Sequence, residues 1–191
     1  MKLTSRERIL KAARHEETDR VPIDLGGTDC STIAIGPYQR LCESLGIDAA
    51  PYHIVDISQQ IVIVDDRVAD RLGADAKVVW HLPEQWRDDH AYDGTPVKYP
   101  SRFKPITLTN GDKVVLDKDG EACMRMPDGG FYYDICNHPL KLVQDLKDLN
   151  EFTGAFESMD RPEWYDMSLE KLGEAVKHIR SHSNRALIGC F

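Results

Sequence analysis

One stretch of the sequence, residues 84–135, limits the possible folds most, because it repeats the turn signal of antiparallel hairpins. In this stretch, Asp-Gly or Asn-Gly pairs separate short runs of strand-forming residues. The four pairs are Asp93-Gly94, Asn110-Gly111, Asp119-Gly120 and Asp128-Gly129. Such pairs readily take the positive φ angles that two-residue hairpin turns require. The stretch therefore predicts a small antiparallel β-meander.

Outside this meander, predicted strands and helices alternate along the chain. Thr4 and Glu7 form the pattern of a capping box and predict a helix over residues 4–15. The other predicted helices cover residues 37–45, 58–72, 142–149 and 163–182, and the predicted strands cover 21–25, 54–55, 76–80 and 186–191. Alternation of this kind is typical of parallel α/β units. No helix follows the last strand, so we expect a single domain, residues 1–191, that is truncated at its C-terminus.

Composition and charge restrict the class of protein. The chain has 191 residues, of which 41% are hydrophobic and 29% charged, as in ordinary globular domains. Its 24 Lys and Arg residues are outnumbered by 32 Asp and Glu residues, which disfavours nucleic acid as a partner. No apolar run approaches the ~20 residues of a membrane span. The N-terminus is charged and lacks a secretory signal. We therefore expect a cytoplasmic protein with neither nucleic acid nor a membrane as partner.

The cysteines carry no metal-binding or disulfide pattern. They stand at positions 30, 42, 123, 136 and 190, and no two of them have C-x-x-C spacing. An odd number of cysteines without a secretory signal indicates free thiols in a reducing compartment. We expect no metal site within this chain, because neither Cys nor His has the spacing of zinc ligands.

Three pieces of the sequence resemble the uroporphyrinogen decarboxylase superfamily, which includes corrinoid-linked methyltransferases. The first piece is SRERILKAA at residues 5–13 with DRVPID at 19–24. The second runs from QQ at 59–60 through Asp65 to RLGAD at 71–75, and the third is PDGGFY at 127–132 with HPL at 138–140. Gly26-Gly27-Thr28, after the first predicted strand, is most similar to the methyltransferase-type branch. The pieces span nearly the whole chain in the family's order.

The resemblance implies a fold and a set of site residues. The fold is a (β/α)8 TIM-type barrel, of which this chain would be the N-terminal part, with the meander at about 84–135 as an insertion. Residues 21–25, 77–80 and 186–190 would be the first three barrel strands. Chemistry in such barrels occurs at the carboxyl ends of the strands. The implied substrate-binding residues follow the first two strands and are Asp24, Gly26, Gly27, Thr28, Trp80 and His81.

The resemblance also implies an activity, which is methyl transfer between a methyl-corrinoid protein and a small acceptor. The partner would be that corrinoid protein or a tetrapyrrole-type small molecule. The family uses zinc bound by a His and two Cys residues, and these ligands belong to a C-terminal half that this chain lacks. The resemblance therefore implies zinc and a corrinoid partner for a full-length protein, and it leaves open whether this fragment is itself active.

Two alternatives stay open beside methyl transfer. One is decarboxylation of a tetrapyrrole such as uroporphyrinogen, which the family performs with an arginine-rich loop that binds carboxylates. Here the corresponding loop is Gly26-Gly27-Thr28-Asp29, and Leu82 stands where the family has its catalytic aspartate, so both features disfavour this activity. The other alternative is a non-catalytic α+β binding module that docks through the meander. Two copies of the chain could also complete each other's sheet as a homo-oligomer.

Overall fold

The fold is known from a computed structural model that describes residues 2–117, 119–136, 138, 143–151 and 164–190. The α-helices of this part are α1 (Ser5–Ala13), α2 (Ile35–Leu45), α3 (Asp66–Arg71) and α4 (Leu169–His182). The strands are β1 (Tyr52–Asp56), β2 (Ile61–Val62), β3 (Ala76–Trp80), β4 (Trp86–His90), β5 (Pro96–Pro100), β6 (Ile106–Thr107), β7 (Lys113–Leu116), β8 (Ala122–Met126), β9 (Asp134–Ile135) and β10 (Ala186–Cys190). Pro139 and Leu140 of the third sequence piece, and Phe191, lie outside the described residues.

The strands form three small sheets. One sheet has the order β2-β1-β5-β4, in which β1 and β5 are parallel and the other pairs are antiparallel. A second sheet is the antiparallel meander β6-β7-β8-β9. The third is the parallel pair β3 and β10. The turn at Asp93-Gly94 joins β4 to β5, so this hairpin lies in the first sheet and the meander proper begins at β6.

The prediction of a partial (β/α)8 TIM-type barrel is wrong. In the described part the structure has four α-helices and three separate sheets, with no closed barrel and no regular series of alternating β/α units. Residues 21–25, the expected first barrel strand, form no strand. They run beside β3, but Pro22 has no N–H, and the N–H of Ile23 donates to the Asp75 side chain at 2.9 Å instead of to a strand backbone.

The expected helix at residues 58–72 is also replaced. Residues 57–60 form a turn, residues 61–62 are β2, and only Asp66–Arg71 are helical as α3. β2 pairs with β1 in antiparallel register, with Val62 opposite Ile54. An apolar run of this length fits a helix or a strand equally well, and here the partner strand decides.

A buried ion cluster joins two of the three sequence pieces that carry the resemblance. Asp75 is fully buried, and its carboxylate accepts hydrogen bonds from Arg8 Nη1 at 2.5 Å and from Arg20 Nη1 at 2.7 Å. Arg8, which is 3% exposed, also donates through Nε to Asp19 at 2.7 Å. The cluster therefore ties α1 and the 19–23 segment to the start of β3.

The main hydrophobic core lies between α2, the first sheet and the meander. Phe103, which is 1% exposed, follows β5 and packs edge-on against Tyr133 and Trp164, with ring centroids 5.5 Å apart in both pairs. Edge-to-face pairs of this kind add about 0.5–1.5 kcal/mol each beyond simple burial. Tyr133 thus fixes the end of the meander on the core of the first sheet.

None of the helices in the described residues is long and apolar enough to cross a membrane. The longest of them, α4, has 14 residues.

Candidate functional site

The loop after residue 23 was expected to hold most of the substrate-binding residues. It is a compact turn closed on itself, because Asp24 Oδ1 accepts a hydrogen bond from Gly27 N at 2.8 Å and Gly26 N donates to Ser31 O at 2.9 Å. Thr28 caps the 3-10 turn Asp29–Ser31, with its hydroxyl accepting from Ser31 N at 3.2 Å. These contacts satisfy Asp24 and Thr28 within the loop.

The two glycines make room for atoms of the chain itself. A Cβ on Gly27 would lie 2.5 Å from the Ala76 Cβ, and a Cβ on Gly26 would lie 2.8 Å from Val64 Cγ2. Gly26 also has a φ of +75°, which favours glycine. The glycines therefore let the loop pack closely against Val64 and against the start of β3.

Trp80 and His81, the other expected site residues, lie at the carboxyl end of β3. His81 Nε2 is 2.7 Å from the Met167 carbonyl oxygen, so the imidazole is bonded to the segment that precedes α4. The indole Nε1 of Trp80 is buried and has no hydrogen-bond partner among the described residues. Neither side chain lines the cleft described next.

A surface cleft begins where this loop ends. It encloses about 390 Å³, which lies within the range of small-molecule sites. Three segments line it: the end of the loop with the residues before α2, the turn between β1 and β2, and the segment that enters β9. The lining residues are Asp29, Cys30, Thr32, Ala34, Ser58, Gln59, Ile61, Tyr132, Tyr133 and Asp134.

Asp56, at the end of β1, orients the polar groups of the β1–β2 turn. Its Oδ1 accepts from the Ser58 hydroxyl at 2.6 Å and from Gln59 N at 3.0 Å, and its Oδ2 accepts from Gln59 Nε2 at 3.1 Å. These three bonds hold two cleft-lining residues, Ser58 and Gln59, by one carboxylate. The turn therefore offers preorganised hydrogen-bonding groups to a ligand.

The opposite wall comes from the end of the meander. Tyr133 N donates to Ser58 O at 2.9 Å and so joins the two walls directly. Burial raises the pKa of the Tyr133 hydroxyl well above its usual range, so that group stays protonated. Tyr132 is 51% exposed and Asp134 pairs with Arg125 across the β8–β9 ladder. The wall thus combines a rigid inner tyrosine with an accessible outer one.

Among the described residues, those that line the cleft include acidic side chains and no basic one. Asp29 and Asp134 are among its ten lining residues, and Lys and Arg are absent from them. Among the described residues, no group of three or more His, Cys, Asp or Glu side chains is placed to hold a metal ion. The resemblance assigns the zinc ligands to a C-terminal half of the family's fold, so it expects none of them among these residues.

None of the six site residues expected from the sequence lines the cleft, although Thr28 directly precedes the lining residue Asp29. Ser58 and Gln59 fall within the predicted helix at residues 58–72, and Tyr132 and Tyr133 fall in the predicted meander, where aromatic residues typically pack. Tyr133 does pack in the core, but Tyr132 borders the cleft. One sequence signal pointed there: Gln59 and Tyr132 both belong to the pieces that carry the family resemblance.

Comparison with known proteins finds no matching family model, no similar curated protein and no similar solved structure.

Proposed function

We propose that this chain is a uroporphyrinogen decarboxylase-like protein related to corrinoid-dependent methyltransferases, and that its cleft binds the small methyl acceptor. One observation carries the proposal. The loop that resembles the methyltransferase branch leads directly into the cleft, and Gln59 and Tyr132, from the second and third sequence pieces, line it. Segments more than 70 residues apart in sequence thus meet at one place.

The lining defines the class of acceptor. Hydroxyl, amide and carboxylate groups surround the cleft, and the described residues that line it include neither Lys nor Arg, which disfavours an anionic ligand. A tetrapyrrole with several carboxylates would place them beside the carboxylates of Asp29 and Asp134, so tetrapyrrole decarboxylation is the weaker alternative. The acceptor we propose is a neutral or cationic small molecule with a nucleophilic thiol or amine.

The residues of the chain would position that acceptor. Gln59 and Ser58, both held by Asp56, would hydrogen-bond its polar end, while Tyr132 would cover it from the solvent side. The Asp134 carboxylate would accept a hydrogen bond from the acceptor's S–H or N–H and so orient the nucleophile. A separate corrinoid protein would supply the electrophilic methyl group and keep the electron pair of the broken cobalt–carbon bond, while the acceptor's proton would pass to solvent. Positioning a nucleophile in this way is a large part of rate enhancement in bimolecular transfers.

The test compares three thiols that share a mercaptoethyl unit and differ in the terminal group, which is cationic, neutral or anionic. The chain is incubated with methylcobalamin and cysteamine, 2-mercaptoethanol or 3-mercaptopropionate, and the S-methyl product is measured by mass spectrometry. We expect product above the protein-free rate with the cationic and neutral thiols, and less with the anionic one. Gln59→Leu should lower the rate about tenfold because it removes a polar contact, whereas the exposed Gln144→Leu should leave it unchanged.

Two outcomes would contradict the proposal. One is a rate equal to the protein-free rate with all three thiols. The other is a preference for 3-mercaptopropionate, which would indicate an anion site and favour the decarboxylase alternative.

A second candidate function, a non-catalytic binding module, is favoured by the exposed face of the meander. Phe131 is 55% exposed, and its ring centroid lies 6.4 Å from that of Tyr132, which is 51% exposed. Exposed apolar groups in a cluster are typical of protein-binding surfaces. A cooperatively folded chain with no methyl transfer to any of the three thiols would favour this second function.

A further inference from the structure

Two cysteines lie opposite each other on neighbouring strands of the meander. β8 and β9 pair with Met124 opposite Ile135 and Arg125 opposite Asp134. The next pair in this register is Cys123 with Cys136, and Cys136 N donates a hydrogen bond to Cys123 O at 3.0 Å. Directly opposed residues with such a bond have Cα atoms about 5.5 Å apart. That separation falls within the Cα range that disulfides span, and the Cβ atoms must approach to about 3.5–4.5 Å for the bond to form.

The thiol of Cys136 lies over β8, whereas the thiol of Cys123 is bonded to the other neighbour of β8, which is β7, and must rotate to reach Cys136. Cys136 Sγ donates to Ala122 O at 3.1 Å, and Cys123 Sγ donates to Val115 O at 3.4 Å. Cys123 is also the extra residue of an irregularity in β8, because Val115 pairs with Met124 while Leu116 pairs with Ala122. A bulged residue is held less tightly by the ladder, which eases rotation of its side chain.

We propose that Cys123 and Cys136 form a reversible disulfide with each other, and that this bond fixes the wall of the cleft. The oxidant is a low-molecular-weight disulfide such as glutathione disulfide. Cys136 directly follows β9, which begins with the cleft-lining Asp134, so a bond at Cys136 restrains the segment from Tyr132 to Asp134. This inference goes beyond the proposed function and does not depend on which ligand the cleft binds.

The exchange proceeds in two balanced steps. The partly exposed Cys136 loses its proton and attacks one sulfur of glutathione disulfide, which forms a mixed disulfide and releases one glutathione thiolate that takes up a proton. Cys123 then loses its proton and attacks the Cys136 sulfur, which releases the second glutathione. The two protein thiols lose two electrons and two protons, and glutathione disulfide gains both. Burial raises the pKa of the Cys123 thiol and so lowers its thiolate fraction, which disfavours Cys123 as the first nucleophile.

The test equilibrates the folded chain in buffers with stepped ratios of glutathione to glutathione disulfide, quenches it with acid and maps its tryptic peptides. We expect a peptide pair linked through Cys123 and Cys136 in the wild type and in Cys30→Ser, which removes an exposed thiol elsewhere. Cys136→Ser should abolish the link while the circular dichroism spectrum is retained. A mixture of glutathione adducts without the linked pair, or the same yield of linked pair in 8 M urea as in the folded chain, would overturn the proposal.

A second measurement tests the effect on the cleft. The amide of Tyr133, which donates to Ser58 O, should exchange with deuterium about tenfold more slowly in the oxidised chain, because the disulfide limits local opening. Cys136→Ser should show no such change in the same buffers. An exchange rate that is equal in both redox states would reject control of the cleft by this disulfide.

Discussion

Replacing Asp75 by asparagine should destabilise the fold more than any other change of a single charge in the ion cluster. The Asp75 side chain has no exposed surface, and its carboxylate accepts four hydrogen bonds, from Arg8, from Ile23 N and twice from Arg20, at 2.5–2.9 Å. Asparagine keeps the shape but removes the charge and half of the accepting capacity. The buried Arg8 cation then loses one of its two carboxylate partners.

The expected loss of unfolding free energy in Asp75→Asn depends on how exposed each arginine partner of Asp75 is. Removing one member of a buried ion pair costs about 3–5 kcal/mol, because an uncompensated charge stays in the interior. Arg8 keeps its bonds to Asp19, which places the expected value near the lower end, about 3 kcal/mol. Arg20 is 41% exposed, so solvent screens its ion pair with Asp75, and loss of this pair adds about 1 kcal/mol at most. In a domain of this size, 3 kcal/mol corresponds to a melting temperature lowered by about 6–12 °C.

Urea unfolding followed by circular dichroism at pH 7 measures this difference. The matched control is Asp88→Asn, since Asp88 is 85% exposed and bonded to Lys98 at 2.6 Å, and this variant should unfold like the wild type. Arg20→Gln should fall between the two variants. Equal midpoints for Asp75→Asn and Asp88→Asn would refute the argument that burial of the cluster stabilises the junction of α1 with β3.

Three further predictions test the loop, the core and the response to acid. Gly27→Ala should destabilise the chain by about 1–3 kcal/mol, because the added methyl group contacts Ala76. Gly173→Ala, in the open middle of α4, should stabilise the chain by about 0.5–1 kcal/mol. The urea midpoints of the two variants should therefore shift in opposite directions from that of the wild type. Phe103→Ala should lower the free energy of unfolding by about 3–5 kcal/mol and increase deuterium exchange at the end of the meander. Unchanged exchange there would mean that the core does not hold the wall of the cleft that the meander forms. Burial acts to raise the pKa of Asp75, but the bonds from Ile23 N and Arg20 outweigh it and hold the pKa below its usual value. The charged Asp75 therefore stabilises the fold above about pH 4, and this contribution is lost as the pH falls through the lowered folded-state pKa. Urea midpoints measured from pH 7 to pH 2 should fall less steeply for Asp75→Asn, and parallel curves would contradict the assignment.

Local signals in the sequence predicted several features correctly. Thr4 and Glu7 form the capping box of α1, and the helix predicted over residues 37–45 does end at Leu45, where Gly46 takes the left-handed conformation with a φ of +66°. The turn signals at Asn110-Gly111 and Asp119-Gly120 lie between paired strands of the meander. All of these depend on residues within a few positions of one another, which a sequence shows directly.

Features that depend on distant residues could not be read in the same way. The strand expected at 21–25 is lost because the side chain of Asp75, about 50 positions later, takes the N–H of Ile23. The 58–72 helix is replaced because β1 offers Ile61–Val62 a partner. The cleft likewise needs Thr32, Gln59 and Tyr132, which only the folded chain brings together.

The most direct test of the central claim, that the cleft and not the end of β3 binds a small molecule, is a titration of the ¹⁵N-labelled chain with cysteamine, followed by NMR. The account predicts saturable shifts at the amides of Thr32, Gln59 and the 132–134 segment, all of which line the cleft. Shifts centred on Trp80 and His81, or no saturable shift at any amide, would contradict it.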